Sequence, residues 1–339
     1  MSFTSSSSGW KSATVRKVKK VRNKVDNIVH NYPKLPDFPL GEENLPFQIG
    51  KNVSVKEYNT FVDRHESTGY KFYWENKNVY IIEMANADHE AVVSTLMQFF
   101  LLPNNGVIIL PPIRVLPQPF HFNPAGQGEK TAPDVAVYPA SAHVPRPGIP
   151  HPGPPPSDTN GNPHARIIVE TANWQSLEYL NEKCGAWMRQ QYVRDVLGIK
   201  LDAIRSHQGQ VHRSMLATLW TRQNVSPTAP VGYVAPPGFT VSTDPNLPRV
   251  SFRTWDFGTL LYGTTNANAC TAPNLPAYQV TIPIEDVFWN PPIVPNTTTR
   301  TNILNETGYI ITVPNVITVP NFIIDLFAVQ QAVLDTQRL

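Results

Sequence analysis

Apolar and polar positions alternate along this chain in two different rhythms, and the switches between them mark its elements. YKFYWENKNVYIIEM (70–84) holds two strand-like runs around Glu75–Asn78, which predicts a β-hairpin. Residues 53–66 read as a short helix with Val53, Phe61 and Val62 turned inward. In DHEAVVSTLMQFFLL (88–102) the residues Val92, Leu96, Phe99 and Phe100 recur at helical spacing, and Asp88 suits the N-cap or first turn. Runs at 107–110, 113–120 and 134–138 are strand candidates. ARIIVE (165–170) is β-branched without polar interruption, as expected of a strand covered on both faces. Leu177, Leu180, Cys184, Trp187, Met188 and Tyr192 make the apolar stripe of a helix over 175–192, followed by strands at 196–204 and 214–222. Beyond 223, strand patterns at 250–262 and 278–288 precede a closing helix over 321–335. The order hairpin, helix, strands, helix, strands predicts an α/β or α+β sheet layered with helices.

Punctuation divides the chain. Residues 1–50 form a serine-rich leader, a basic amphipathic stretch and a proline linker. Residues 51–222 form the structured core, interrupted by nine prolines between 139 and 165; residues 223–339 read as a β-containing extension. The repeat of ITVPN at 311–315 and 317–321 is too short for a solenoid and suggests two proline-marked edge segments.

Composition narrows the class. With 339 residues and 41% apolar content the chain can bury a real core, and 34 prolines exclude a simple helical bundle. Two cysteines are too few for a disulfide scaffold, and no apolar run is long enough to span a bilayer, so a soluble intracellular protein without a membrane partner is expected. The net charge of +2 is uneven. The first 24 residues carry seven bases, among them Arg16, Lys17, Lys19, Lys20, Arg22 and Lys24, and no acid, which leaves 21 bases against 26 acids elsewhere. That arm suits phosphate attraction on a nucleic acid or a nuclear address, and serves equally as a solubilising segment.

The chemistry-bearing pattern is Asp134 heading one apolar strand, Glu170 ending another, and Lys183 on the following helix. Acids at the ends of buried strands are costly unless they meet a cation or a metal. If the strands are neighbours, the carboxylates lie a few ångströms apart and can share one hard divalent cation, Mg²⁺ or Mn²⁺. With a lysine beside them, such parts suit phosphodiester hydrolysis. The structural alternative stays open, in which Asp134 caps a turn and Glu170 pairs with Arg166 or Lys183. Glu83, Glu90 and His89 sit near the hairpin-to-helix junction as accessory candidates, and Gln175 and Lys200 as substitutes should Lys183 point away. GQGEKT (126–131) lacks the order and context of a phosphate loop. Cys184 lies on a packing stripe, and His207 and His212 match no metal spacing.

Over roughly 51–222 these residues resemble the PD-(D/E)XK nuclease superfamily, in particular its Uma-like restriction-endonuclease branch. The resemblance rests on the hairpin and helix of 70–96, on Pro133–Asp134–Val135–Ala136–Val137, and on Ile168–Val169–Glu170 followed by Glu182–Lys183. It implies a restriction-endonuclease-like core with a mixed central sheet flanked by helices. It also implies metal ligands at Asp134 and Glu170, a catalytic cation at Lys183 and DNA as substrate; the 223–339 extension is a candidate dimerisation element for a homodimer, since many endonucleases cut two strands as symmetric pairs. Two departures stand out. Ala172 occupies the usual same-strand lysine position, and Asn173 replaces the branch's serine. They leave a catalytically inactive binding or scaffold module as the alternative.

Overall fold

The computed structural model describes residues 32–38, 40–65, 68–123, 126–144, 158–190, 192–207, 210–223, 234–290 and 310–337. The chain divides into two compact units, Met1–Met84 and Ala85–Leu339.

In the first unit, α1 (Val55–Arg64) begins at Ser54, whose hydroxyl accepts from Glu57 N–H while the Glu57 carboxylate accepts from Ser54 N–H. This reciprocal cap satisfies two amides that the first turn cannot. Strands β1 (Phe47–Lys51), β2 (Tyr70–Glu75) and β3 (Asn78–Met84) form an antiparallel sheet in the order β1-β3-β2. The hairpin turns through Asn76 and Lys77, with φ of 49° and 62°. Two successive left-handed residues twist the chain in the sense that the paired strands need.

The second unit is built on a seven-stranded mixed sheet. Its strands are β4 (Ile113–Pro117), β5 (Val135–Pro139), β6 (Ile167–Ala172), β7 (Asp195–Leu201), β8 (Ser214–Arg222), β9 (Thr240–Val241) and β10 (Val250–Gly258), in the order β9-β10-β8-β7-β6-β5-β4. Only β6 and β7 run parallel. Alternate residues face opposite sides. Val135, Val137, Ile167, Val169, Leu197 and Ile199 belong to the core that includes Val92, Leu96 and Phe100 of α2 (Ala87–Leu101). Ala136, Ile168 and Val196 face Leu180, Cys184, Trp187 and Met188 of α3 (Leu177–Met188). Both faces are covered, which is why β6 and β7 carry no exposed polar face. Gly198 lets α3 settle closely, since a Cβ there would stand 3.0 Å from Cys184 Sγ. The fold is therefore mixed α/β with a helix-flanked central sheet, as the pattern predicts.

Residues 223–339 contribute to that sheet directly, because β10 pairs with β8 along its full length. They also supply a two-stranded sheet, β11 (Gln279–Pro283) with β12 (Asn321–Asp325), and α4 (Leu326–Asp335), whose Val329 and Val333 join the core of α2.

Three expectations need correction. The run at 107–110 is no strand: Ile108, Ile109 and Leu110 are 85–88% exposed, and Leu110 has a φ of 52° ahead of Pro111 and Pro112. The predicted helix over 321–335 begins as β12, and Asp325 then caps α4 by accepting from Phe327 N–H at 3.0 Å. The run at 278–288 is a strand only to Pro283 and continues as the 3₁₀ turn Ile284–Phe288. Among the described residues no helix is long and apolar enough to cross a membrane.

Candidate active site

The site lies in the second unit, where β5 begins and β6 ends. Asp134 stands one residue before the paired residues Val135 and Val169, and Glu170 one residue after them, so the two acids share one end of adjacent strands. Asp134 donates its backbone N–H to Val169 O at 3.0 Å. Its Oδ2 accepts from Thr171 N–H at 2.6 Å. Its Oδ1 lies 3.3 Å from Nε2 of His89, a buried residue in the first turn of α2, with Nδ1 3.0 Å from Glu90 Oε1. Asn86 sets that helix start by accepting from His89 N–H. The Asp134 carboxylate thus ties β5, β6 and α2 together while fully buried.

Glu170, 1% exposed, follows Ile168 on the face covered by α3. Lys183 Nζ donates to its Oε2 at 2.7 Å and Trp187 Nε1 to its Oε1 at 2.6 Å. The two donors are one helical turn apart, so α3 presents both on a single face. Lys183 keeps 14% of its side chain exposed, a route from the buried acid to water.

The β6–α3 loop closes the site. Lys200, buried and opposite Ala172 across the parallel pair, donates to Asn173 O at 2.6 Å. Arg213 donates to the Asn173 side chain and to Asp88 of α2, and its Nε to Asp202 O at 2.8 Å. Gln175 is buried in the same loop.

Lys183 therefore meets Glu170 and His89 meets Asp134, while the strand register sets the two acids at the same end of adjacent strands. Glu90 reaches the site only through His89, its own carboxylate half exposed. Lys200 is fastened to the loop backbone while Lys183 holds the acid, so Lys183 does not point away. Glu83 belongs to the first unit, opposite Lys71 in the hairpin. Arg16, Lys17, Lys19, Lys20, Arg22 and Lys24 lie outside the described residues. In the rejected phosphate-loop sequence, Glu129 accepts from Gln127 N–H and Lys130 lies over the Phe120 ring, so its polar groups serve the loop itself.

Sequence reasoning missed several neighbours. Trp187 is a ligand of Glu170 as well as a core residue, and its spacing from Lys183 is the signal that was available. His121, buried, stands edge-on to Trp187 with ring centroids 5.4 Å apart and its Nε2 3.3 Å from Tyr138 Oη. Burial lowers its pKa, outweighing the Pro119 carbonyl and the nearby charges of Asp158 and Glu170. Nothing in the sequence around His121 announces this placement.

The donor set suits a hard cation in kind, being two carboxylates at one strand end. It is sparse: among the described residues no group of three or more His, Cys, Asp and Glu side chains gathers as a metal centre. Both Glu170 oxygens already accept hydrogen bonds. Residues present would thus supply one or two ligands to a cation whose other positions fall to water and phosphate, the habit of Mg²⁺.

No protein-family profile matches the chain, and no curated protein does. Among solved structures, one match is named "a putative nuclease belonging to DUF820" from Anabaena variabilis ATCC 29413; it is 15% identical, covers 54% of this chain and 89% of that one, and has a TM-score of 0.31.

Proposed function

We propose that this chain is a metal-dependent nuclease that hydrolyses DNA phosphodiester bonds at the end of β5 and β6. The observation that supports it is the pairing of two buried acids, Asp134 and Glu170, at one end of adjacent strands, with the partly exposed Lys183 ammonium 2.7 Å from one of them. Asp134 and Glu170 would hold Mg²⁺ or Mn²⁺. When bound, such a cation neutralises phosphate charge and acidifies a water. Lys183 would orient an attacking water and stabilise the charge that builds on the phosphate oxygens. His89 and the Thr171 N–H fix the Asp134 carboxylate, so no reorganisation is needed as charge develops. The basic arm adds sequence-independent attraction to the polymer.

The test is plasmid nicking with Mg²⁺ or Mn²⁺ by the full chain and by Glu170→Ala. Wild type is expected to nick, and the variant to lose at least about 100-fold, the range typical of one removed transition-state contact. Equal activity would remove the assignment.

Two observations favour a second reading, a binding module that keeps the fold without the chemistry. Both Glu170 oxygens are engaged within the protein, and Ala172 stands where the usual same-strand lysine would. Titrated Mn²⁺ separates the two, since a ligand that prefers the folded state must raise the melting temperature. No rise at millimolar metal favours the binding module.

A further inference from the structure

The β6–α3 loop, residues 173–176, alternates sharply in exposure. Asn173 and Gln175 are each 8% exposed, while Trp174 between them is 44% exposed. Among the described tryptophans it is the one on the surface; Trp74, Trp187, Trp255 and Trp289 are buried and Trp220 is half-buried. A tryptophan offers a large apolar face, and leaving it in water forgoes more burial than any other side chain would. The backbone beneath it is fixed on both sides. Lys200 donates to Asn173 O, Arg213 donates to the Asn173 side chain, and Ser176 caps α3 by accepting from Tyr179 N–H. The indole is thus displayed on a preorganised loop, which lowers the entropy cost of placing a planar group against it. It lies four positions after Glu170, so the chain holds the two within about 13 Å, a few nucleotide steps along a strand.

We infer that Trp174 is a substrate-binding residue that stacks on an unpaired base of the bound nucleic acid, and that the site therefore takes single-stranded DNA, or a duplex with a frayed or extruded base, in preference to intact duplex. The inference rests on the nuclease reading and deepens it. Bases inside a duplex are already stacked on both faces, so the exposed part of an indole beside a phosphate-cutting centre can stack only on a base that has left the stack. Stacking tolerates any base, because every base has a π-face, and it survives added salt that weakens phosphate contacts.

The experiment measures binding of the full chain to a short fluorescent single-stranded oligonucleotide and to its duplex, at low and high salt, for wild type, Trp174→Ala and Trp174→Phe, with KM and kcat for cleavage alongside. Trp174→Ala is expected to weaken single-strand binding about 5- to 100-fold at both salt concentrations and to raise KM with kcat little changed. Trp174→Phe, which keeps a ring, is expected to retain most of the affinity, and duplex binding to move less than about twofold. A merely structural tryptophan would produce neither the strand preference nor the rescue. If nicking that depends on Glu170 persists while single-strand affinity is indifferent to Trp174, the stacking role is overturned and the nuclease reading stands. If wild type neither binds oligonucleotide nor nicks plasmid, both fall together.

Discussion

Buried charge gathers at both ends of the parallel pair β6 and β7, and the two ends use it differently. At the leading end, Arg166 precedes β6, Arg194 precedes β7 and Arg222 closes the antiparallel β8. Their guanidinium groups donate to backbone carbonyls: Arg166 to Trp289 and His164, Arg194 to Arg222, and Arg222 to Met188. Arg194 also meets Asp286 at 3.4 Å and lies over the Trp289 ring, and Arg166 lies over Tyr192. Burial lowers Arg166 to about 9 and Arg222 to about 10, so both remain charged at neutral pH. This end is sealed, and its forks tie distant segments of chain to the core. At the trailing end the cation on Glu170 is a lysine with a path to water, beside a loop that carries an exposed tryptophan. Buried charge alone therefore does not mark a site. On the proposed reading, what sets the trailing end apart is charge that solvent can still reach.

The largest expected effect comes from breaking the sealed end. Arg194→Ala leaves Asp286 buried without its nearest cation and removes the donor to Arg222 O. The expected loss is about 3–5 kcal/mol, read from denaturant midpoints, a large share of a domain's stability. Arg194→Lys keeps the charge without the fork and is expected to fall between. A loss under about 1 kcal/mol would place this pair with ordinary surface ion pairs and erase the contrast.

A pH series sharpens it next. Asp195 is fully buried, and burial raises its pKa well above the ordinary 3.8, with the neighbouring Asp286 charge adding to the rise. The folded state therefore holds this proton more tightly than the unfolded chain does. The stability so contributed is complete below the ordinary value and is lost as pH climbs toward the raised folded one. Asp195→Asn, which cannot ionise, is expected to gain on wild type steadily as pH rises through that window, measured as the difference in urea midpoints. A difference that stays level with pH would mean that Asp195 ionises in the folded protein as freely as in water.

The contrast also explains which features the sequence made legible. The hairpin is local, since Asn76 and Lys77 alone set its turn. Asp134 and Glu170 stand out because an acid terminating an apolar strand conflicts with its surroundings, and such conflicts concentrate at functional positions. The leading-end arginines each look like an ordinary charge flanking a strand, and only the sheet order brings them together. Arg213 and His121 were hidden for the same reason, their partners lying up to 125 positions away. The run at 107–110 misled because β-branched residues suit strands, yet proline at 111 and 112 offers no amide to a ladder. The start of 321–335 misled because apolar runs of that length do not declare their period; Asp325 as a helix cap was the sign that separates β12 from α4.

The smallest expected effect decides most. Glu170→Gln keeps an oxygen for the Trp187 indole and leaves Lys183 without its counter-ion. At the sealed end that exchange would strand a charge, but Lys183 retains a path to water and can rehydrate. The expected stability loss is therefore only about 1 kcal/mol, a melting shift of a few degrees, while nicking falls by orders of magnitude because the amide cannot carry the carboxylate's charge. The two readouts must part company for the site reading to hold. If Glu170→Gln instead costs as much as Arg194→Ala, then the Glu170–Lys183 pair is a structural bridge like those at the leading end, and the trailing end loses the property that set it apart.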